Sequence, residues 1–267
     1  MKKKISITIN EKVIRDIDSL VDNINIKNRS QAIEYVLQSS LGEKKIAVIL
    51  AGGEEKRLRV GKEYAPAVQI KNSTLIEEAV KKLRKDGFKE IFIIGRHKVL
   101  TRLFEILKEG STYGVKINYV EEKQSAGTAD SLRLLKGKVE KSFLVVFADL
   151  LFNKVNVNEL WNSHIKGNGI VTIMLTTHSR PREKGVVKME GSRVVDFQQK
   201  PAKSADHLVF SPLFAAEPEI LEYSGSSLEE NVFPALARRG LLQGHLSSVK
   251  ETHIHSERDI KEAKSLV

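Results

Sequence analysis

The sequence predicts an α/β chain: a Rossmann-like, mostly parallel sheet with helices on its faces, preceded by a small separate domain. Three observations predict it. From Lys44 onward, strand-length apolar runs alternate with helical patterns, as in a parallel sheet with helical crossovers. Two of these runs, Ile46 to Leu50 and Phe143 to Phe147, are apolar throughout, as strands covered on both faces must be. The first forty-odd residues follow another pattern and end at the charged step Gly42-Glu43-Lys44-Lys45, which sets the domains at 1–44 and 45–267.

The chain has 267 residues, a formal net charge of +10 and no cysteine. That length admits one large domain with an appendage. No apolar run is long enough for a transmembrane helix, and the basic start MKKK leads into alternating residues where a signal peptide needs a continuous apolar core. A cytoplasmic location without a membrane partner is expected. Disulfides and Cys-ligated zinc are excluded, and the positive charge suggests nucleic acid or phosphorylated ligands as partners.

Lys4 to Ile9 alternates strictly, with Ile5, Ile7 and Ile9 on one face and Lys4, Ser6 and Thr8 on the other. Glu11 to Asp22 then carries apolar residues at helical spacing. Asn28 reads as an N-cap, with Gln31 completing a capping box ahead of a second amphipathic helix. One copy of so short a unit buries too little apolar surface, whereas two copies with paired strands can. Residues 3 to 42 thus resemble the ribbon-helix-helix DNA-binding domains. The resemblance implies a homodimer formed by N-terminal strand pairing, with higher assembly open. It also implies double-stranded DNA as partner, Lys4, Ser6 and Thr8 as base readers, and Asn28, Arg29 and Ser30 at a backbone phosphate. A dimerisation ribbon that touches no DNA is the alternative.

In the remaining chain, Thr74 to Gly87 reads as a helix closed by glycine, Glu90 to Ile94 as a strand and Thr101 to Glu109 as a helix. Val115 to Val120 reads as a strand, a further helix starts near Thr128, and Phe143 to Phe147 is a second buried strand ending in Ala148-Asp149. The first buried strand runs into Ala51-Gly52-Gly53, where missing Cβ atoms let backbone N–H groups approach a phosphate. Ligands of such sheets bind beyond the C-terminal strand ends, so Gly52, Gly53 and Asp149 are expected at one crevice. His253 and His255 would share a strand face as a possible metal pair, but surface or packing roles are the expectation; Trp161 reads as core.

LAGG (50–53) with RLR (57–59), SAGTAD (125–130), FLVVFAD (143–149), QKP (199–201) and SLEENVFPALARRG (227–240) occur in an order that resembles the sugar-phosphate nucleotidyltransferases. Members join a sugar 1-phosphate to a nucleoside triphosphate and release pyrophosphate, using Mg2+. The resemblance implies Gly52, Gly53, Gly127, Thr128 and Asp149 at the nucleotide, with Asp149 as metal ligand, and Gly185 and Lys200 at the sugar. An active enzyme would rely on Arg57, Lys62, Asp149 and Lys200. Departures stand beside the matches: Glu55 and Lys56 replace glycine and threonine, and Ala65-Pro66 replaces a lysine-proline pair. His253 stands for a second metal-binding aspartate, Gln199 for a glutamate, and Phe210 to Leu213 for an asparagine-containing turn. Lost transition-state charges typically cost roughly 10² to 10³ each in rate. The sequence therefore predicts a DNA-binding transcriptional regulator whose degenerate nucleotidyltransferase-like domain senses a nucleotide, sugar phosphate or nucleotide sugar. The alternative is an active sugar-1-phosphate nucleotidyltransferase with an N-terminal oligomerisation or self-regulatory domain.

Overall fold

The computed structural model describes residues 6–21, 26–40, 45–53, 55–56, 58–124 and 126–266, with backbone alone for 35–40. The chain separates into two compact units, Met1–Lys44 and Lys45–Val267.

In the first unit, Asn10 caps the helix Glu11–Asp18 by accepting from Lys12 N at 2.9 Å, and Ile17 is its buried residue. The helix stops short of Asp22 because the Ser19 hydroxyl turns back onto the Asp16 carbonyl at 2.7 Å. Asn28 accepts from Gln31 N at 3.0 Å ahead of the helix Arg29–Ser40, while Gln31 reaches back to Lys27 N at 2.7 Å. One half of the expected box forms at Asn28, and the return bond from Gln31 falls one residue earlier, on Lys27. Residues 6–10 form no strand. A ribbon strand takes its hydrogen bonds from a second copy, so the single chain offers residues 6–10 no such ladder partner.

The second unit carries a nine-stranded sheet. Its heart is Lys45–Ala51, which pairs in parallel with Phe88–Gly95 on one side and Phe143–Phe147 on the other; Lys116–Glu121 extends the parallel run beyond Phe88–Gly95. Strand alternation sends Ala47, Ile49 and Ala51 into one core with Val80, Leu83 and Leu103. Ile46, Val48 and Leu50 enter the opposite core with Leu132, Phe210 and Phe233. Each such apolar side chain contributes roughly 1.5–3 kcal/mol when fully buried. The helix Leu75–Lys85 begins at a capping box between Thr74 and Glu77 and is followed by Gly87 at φ +94°. Trp161 packs edge-to-face on Phe88 at 5.3 Å, so the expectation of a core tryptophan holds.

The rest of the sheet is mixed. Leu208–Ala216 runs antiparallel to Phe143–Phe147, and Gly185–Glu190 forms a hairpin with Arg193–Gln199. A turn as short as the one through Gly191, at φ +61°, joins antiparallel strands only. The mostly parallel expectation therefore describes the half of the sheet built around Lys45–Ala51. A third, smaller core of Val60, Leu151, Ile254 and Ala263 seats the C-terminal helix Glu257–Leu266. Among the described residues no helix is long and apolar enough to cross a membrane.

Candidate functional site

The turn after Lys45–Ala51 is shaped by a carboxylate. A Cβ on Gly52 would come within 2.7 Å of Glu122 Oε2, and Gly53 takes φ +95°, which explains both glycines. Glu122 is 1% exposed. It accepts from Gly53 N at 2.9 Å and from the Ser131 hydroxyl, and Arg96 Nε lies 3.6 Å from it. Buried charge is stable only when partnered in this way. Glu122 thereby ties the glycine turn to the helix Thr128–Arg133 and holds a half-buried guanidinium beside it. Neither Glu122 nor Arg96 was singled out from the sequence. Both close or follow strands at the sheet's C-terminal edge, the one signal that could have marked them.

Gly127 admits no side chain, because a Cβ would stand 2.6 Å from the Ser226 carbonyl oxygen. Ala129 N donates to the same oxygen at 2.8 Å. Thr128 Oγ1 donates to Glu229 at 2.7 Å and accepts from Leu228 N at 2.9 Å. The SAGTAD and SLEEN segments are thus locked together. Between these walls lies a cavity of about 520 Å3, lined by Gly52, Gly53, Arg96, Gly127, Thr128 and Asp149. The structure gathers the five expected nucleotide residues around one opening, with the unexpected Arg96 beside them.

Asp149 stands where the cavity meets a short ribbon. Leu150–Leu151 pairs antiparallel with Thr252–His253, and Ile254 N donates to Asp149 O at 2.9 Å. This places His253 Nδ1 3.6 Å and His255 Nε2 3.4 Å from Asp149 Oδ2, with the two rings stacked at 5.5 Å. Burial opposes the charge of Asp149, yet hydrogen bonding and attraction from His253, with attraction from His255, hold its carboxyl below the usual range. Burial likewise opposes the His253 cation, but Asp149 and Glu251 outweigh it and raise that ring. Glu251 Oε1 and Lys184 Nζ each lie 3.3 Å from His253 Nε2. Lys184 was also missed from sequence. The two histidines, expected at the surface or in packing, both face the predicted metal ligand, and His255 is exposed as well.

Mg2+ takes oxygen ligands in near-octahedral geometry. The cluster here offers one carboxylate and two imidazoles, so its donor set does not fit a protein-held Mg2+.

The remaining expected residues scatter. Arg57 and Lys4 lie outside the described residues. Lys62 is exposed at the turn between Arg59–Val60 and Glu63–Tyr64, away from the cavity lining. Lys200 is exposed at φ +46°, its N–H donating to Lys184 O at 2.9 Å. Gly185 is required by packing, since a Cβ would meet Phe197 Cζ at 2.6 Å. In the N-terminal unit Ser6, Thr8, Asn28 and Ser30 are exposed. Arg29 is held by Asp18 through two contacts of 2.6 and 2.7 Å.

A glycine-lined cavity at the ends of parallel strands, with an arginine in its wall and an acid at its mouth, defines a nucleotide-handling α/β protein. Residues 46–246 match the Nucleotidyl transferase family, and the chain belongs to it. It is 28% identical over 207 residues to a mannose-1-phosphate guanyltransferase of Aspergillus oryzae, covering 73% of this chain and 57% of that protein. It is 26% identical to a low-salt glycan biosynthesis nucleotidyltransferase of Haloferax volcanii, over 66% of this chain and 50% of the relative. The chain thus spans little more than half the length of these relatives. A Bacillus anthracis structure named as a glucose-1-phosphate thymidylyltransferase superposes with a TM-score of 0.75 at 18% identity, over 83% of this chain and 94% of that one, which shows the fold.

These enzyme names overturn the expectation of a DNA-binding transcriptional regulator with a catalytically dead domain. Aligned sequence positions understate the positive charge at the site, because the fold brings Arg96 and Lys184 to it from positions the motifs do not contain.

Proposed function

We propose that the chain is an active sugar-1-phosphate nucleotidyltransferase. The observation that carries this reading is the convergence of Gly52, Gly53, Gly127, Thr128 and Asp149 on one cavity with Arg96 in its wall. The nucleoside triphosphate lies along the glycine wall, where backbone can approach phosphate closely. The sugar 1-phosphate enters from the wall carrying Lys184, bordered by Gly185 and by Lys200, whose backbone bonds to Lys184. A phosphate oxygen of the sugar attacks the α-phosphorus, the bond to the β-phosphate oxygen breaks, and pyrophosphate leaves. The protein's part is alignment and charge neutralisation. Arg96 and Lys184 supply fixed positive charge, and Glu122 keeps Arg96 oriented. The relatives' names support a guanine nucleotide and mannose 1-phosphate as the first pair to test.

The N-terminal unit serves self-association through a second copy. Its Ile7, Val13 and Leu20 are 56, 46 and 38% exposed, apolar surface that a partner would cover.

Purified full-length protein should release pyrophosphate from GTP and mannose 1-phosphate, or from another pair in a panel of nucleoside triphosphates and sugar 1-phosphates. Absence of release from every pair, with divalent cations supplied, would refute the enzyme reading.

A further inference from the structure

We propose that Asp149, His253 and His255 form a chelating site for a divalent transition metal such as Zn2+ or Co2+, selected over Mg2+, at the mouth of the cavity. Their ligand atoms all lie within 4.8 Å of one another. Tetrahedral zinc with bonds of about 2.0–2.1 Å needs ligand atoms roughly 3.3–3.4 Å apart. Asp149 Oδ2 is 3.6 Å from His253 Nδ1 and 3.4 Å from His255 Nε2, so two of the three donor pairs already stand near that spacing.

Independent features fix these donors in place. His253 is registered against Leu150 by the antiparallel ribbon, one residue from Asp149. Ile254, between the histidines, is fully buried in the third core, so alternation sends both rings to the same side. His255 N donates to Asp259 Oδ2 at 2.9 Å, which anchors that residue to the C-terminal helix. Behind His253 stands Glu251, whose side chain is 6% exposed and whose Oε1 lies 3.3 Å from Nε2. Lys184 Nζ also stands 3.3 Å from Nε2, but an ammonium cannot accept from it, so an Nε2–H goes to Glu251 and leaves the Nδ1 lone pair for a metal, the carboxylate–histidine–metal arrangement that orients ligating imidazoles. Imidazole nitrogen favours borderline transition metals, whereas Mg2+ favours oxygen. Three protein donors leave at least one coordination position, and Asp149 also lines the cavity.

This inference deepens the transferase reading by naming the cation class of the same cavity, and it depends on that reading only for what the metal serves. Its test is therefore binding. Full-length protein, freed of metal by chelator, is titrated with Zn2+, Co2+ and Mg2+ by calorimetry, with Co2+ absorption in the visible as the coordination readout. One Zn2+ or Co2+ per chain is expected, bound at least 100-fold more tightly than Mg2+, with Co2+ bands of a nitrogen-containing site. His253→Ala and His255→Ala should each weaken Zn2+ at least 100-fold, and Glu251→Gln by 10- to 100-fold. His255 is exposed, so its variant should remain folded by circular dichroism even if the His253 variant does not. Mg2+ binding as tight as Zn2+, or Zn2+ affinity unchanged in the His255 variant, would overturn the proposal. Pyrophosphate release is scored separately: a Zn2+ site without transfer defeats the enzyme reading alone, and transfer without metal selectivity defeats this one alone.

Discussion

The glycine wall of the cavity is backbone: Gly52, Gly53 and Gly127 sit where a Cβ would strike Glu122 or Ser226, or where φ is positive. The acid wall is side chain: Asp149 meets His253 and His255 only because a two-residue ribbon pairs Leu150–Leu151 with Thr252–His253. The first wall is limited by space at Gly52 and Gly127, where a Cβ would strike Glu122 or Ser226, and by backbone conformation at Gly53. The second rests on long-range register and can be disconnected without touching a ligand residue. One cavity thus has a wall defined by steric limits and a wall defined by distant packing.

That contrast can be broken or sharpened by substitution. Asp149→Ala removes the one residue shared by both walls, and transfer should fall by roughly 10³-fold, measured as pyrophosphate release. Ile254→Ala empties a fully buried site and should cost about 2–5 kcal/mol of stability in urea unfolding. It should also weaken Zn2+ more than tenfold while nucleotide affinity persists; equal loss of both would show that the walls are one unit. Gly127→Ala makes the reverse cut. Its Cβ meets backbone that cannot rotate away, so about 1–3 kcal/mol of stability and most nucleotide affinity should go, with Zn2+ retained. Arg96→Ala should lower kcat/KM for the nucleotide roughly 10- to 100-fold, the effect of one charge-assisted contact.

The smallest expected effect lies away from both walls. His164 has a fully buried side chain, 2.9 Å from Thr172 Oγ1, and burial lowers its pKa although the Glu217 charge opposes this. A depressed folded pKa means that the native state prefers the neutral ring. The stability it contributes is present above the unfolded value of about 6.5 and declines as pH falls toward the folded value. Chemical unfolding at a series of pH values should show this decline, and His164→Gln should flatten it without shifting metal or nucleotide binding.

Much of the large unit was legible. Ile46 to Leu50 and Phe143 to Phe147 announce buried strands because every residue is apolar, and both strands form within one residue of those bounds. Gly52-Gly53 and Gly127 were recognisable as turn glycines, although what excludes a Cβ at Gly52 and Gly127 is the distant Glu122 and Ser226. Lys62 could not be judged from its sequence position, because a cation's usefulness depends on where its ammonium ends up. Lys62 lies on an exposed turn, while Lys184, in no motif, reaches His253. His253 looked like a loss when judged as a missing aspartate; beside Asp149, His255 and Glu251 it is part of a different donor set.

From its sequence alone this protein is an α/β chain with a glycine-turned, strand-end crevice, because hydrophobic periodicity and the backbone freedom of glycine act within a few residues of where they are written. Tertiary structure alone decided which charges share that crevice. Arg96, Glu122, Lys184 and the two histidines arrive from separate strands and ribbons. Electrostatic and coordination energies depend on ångström distances that strand register sets and that linear spacing does not encode.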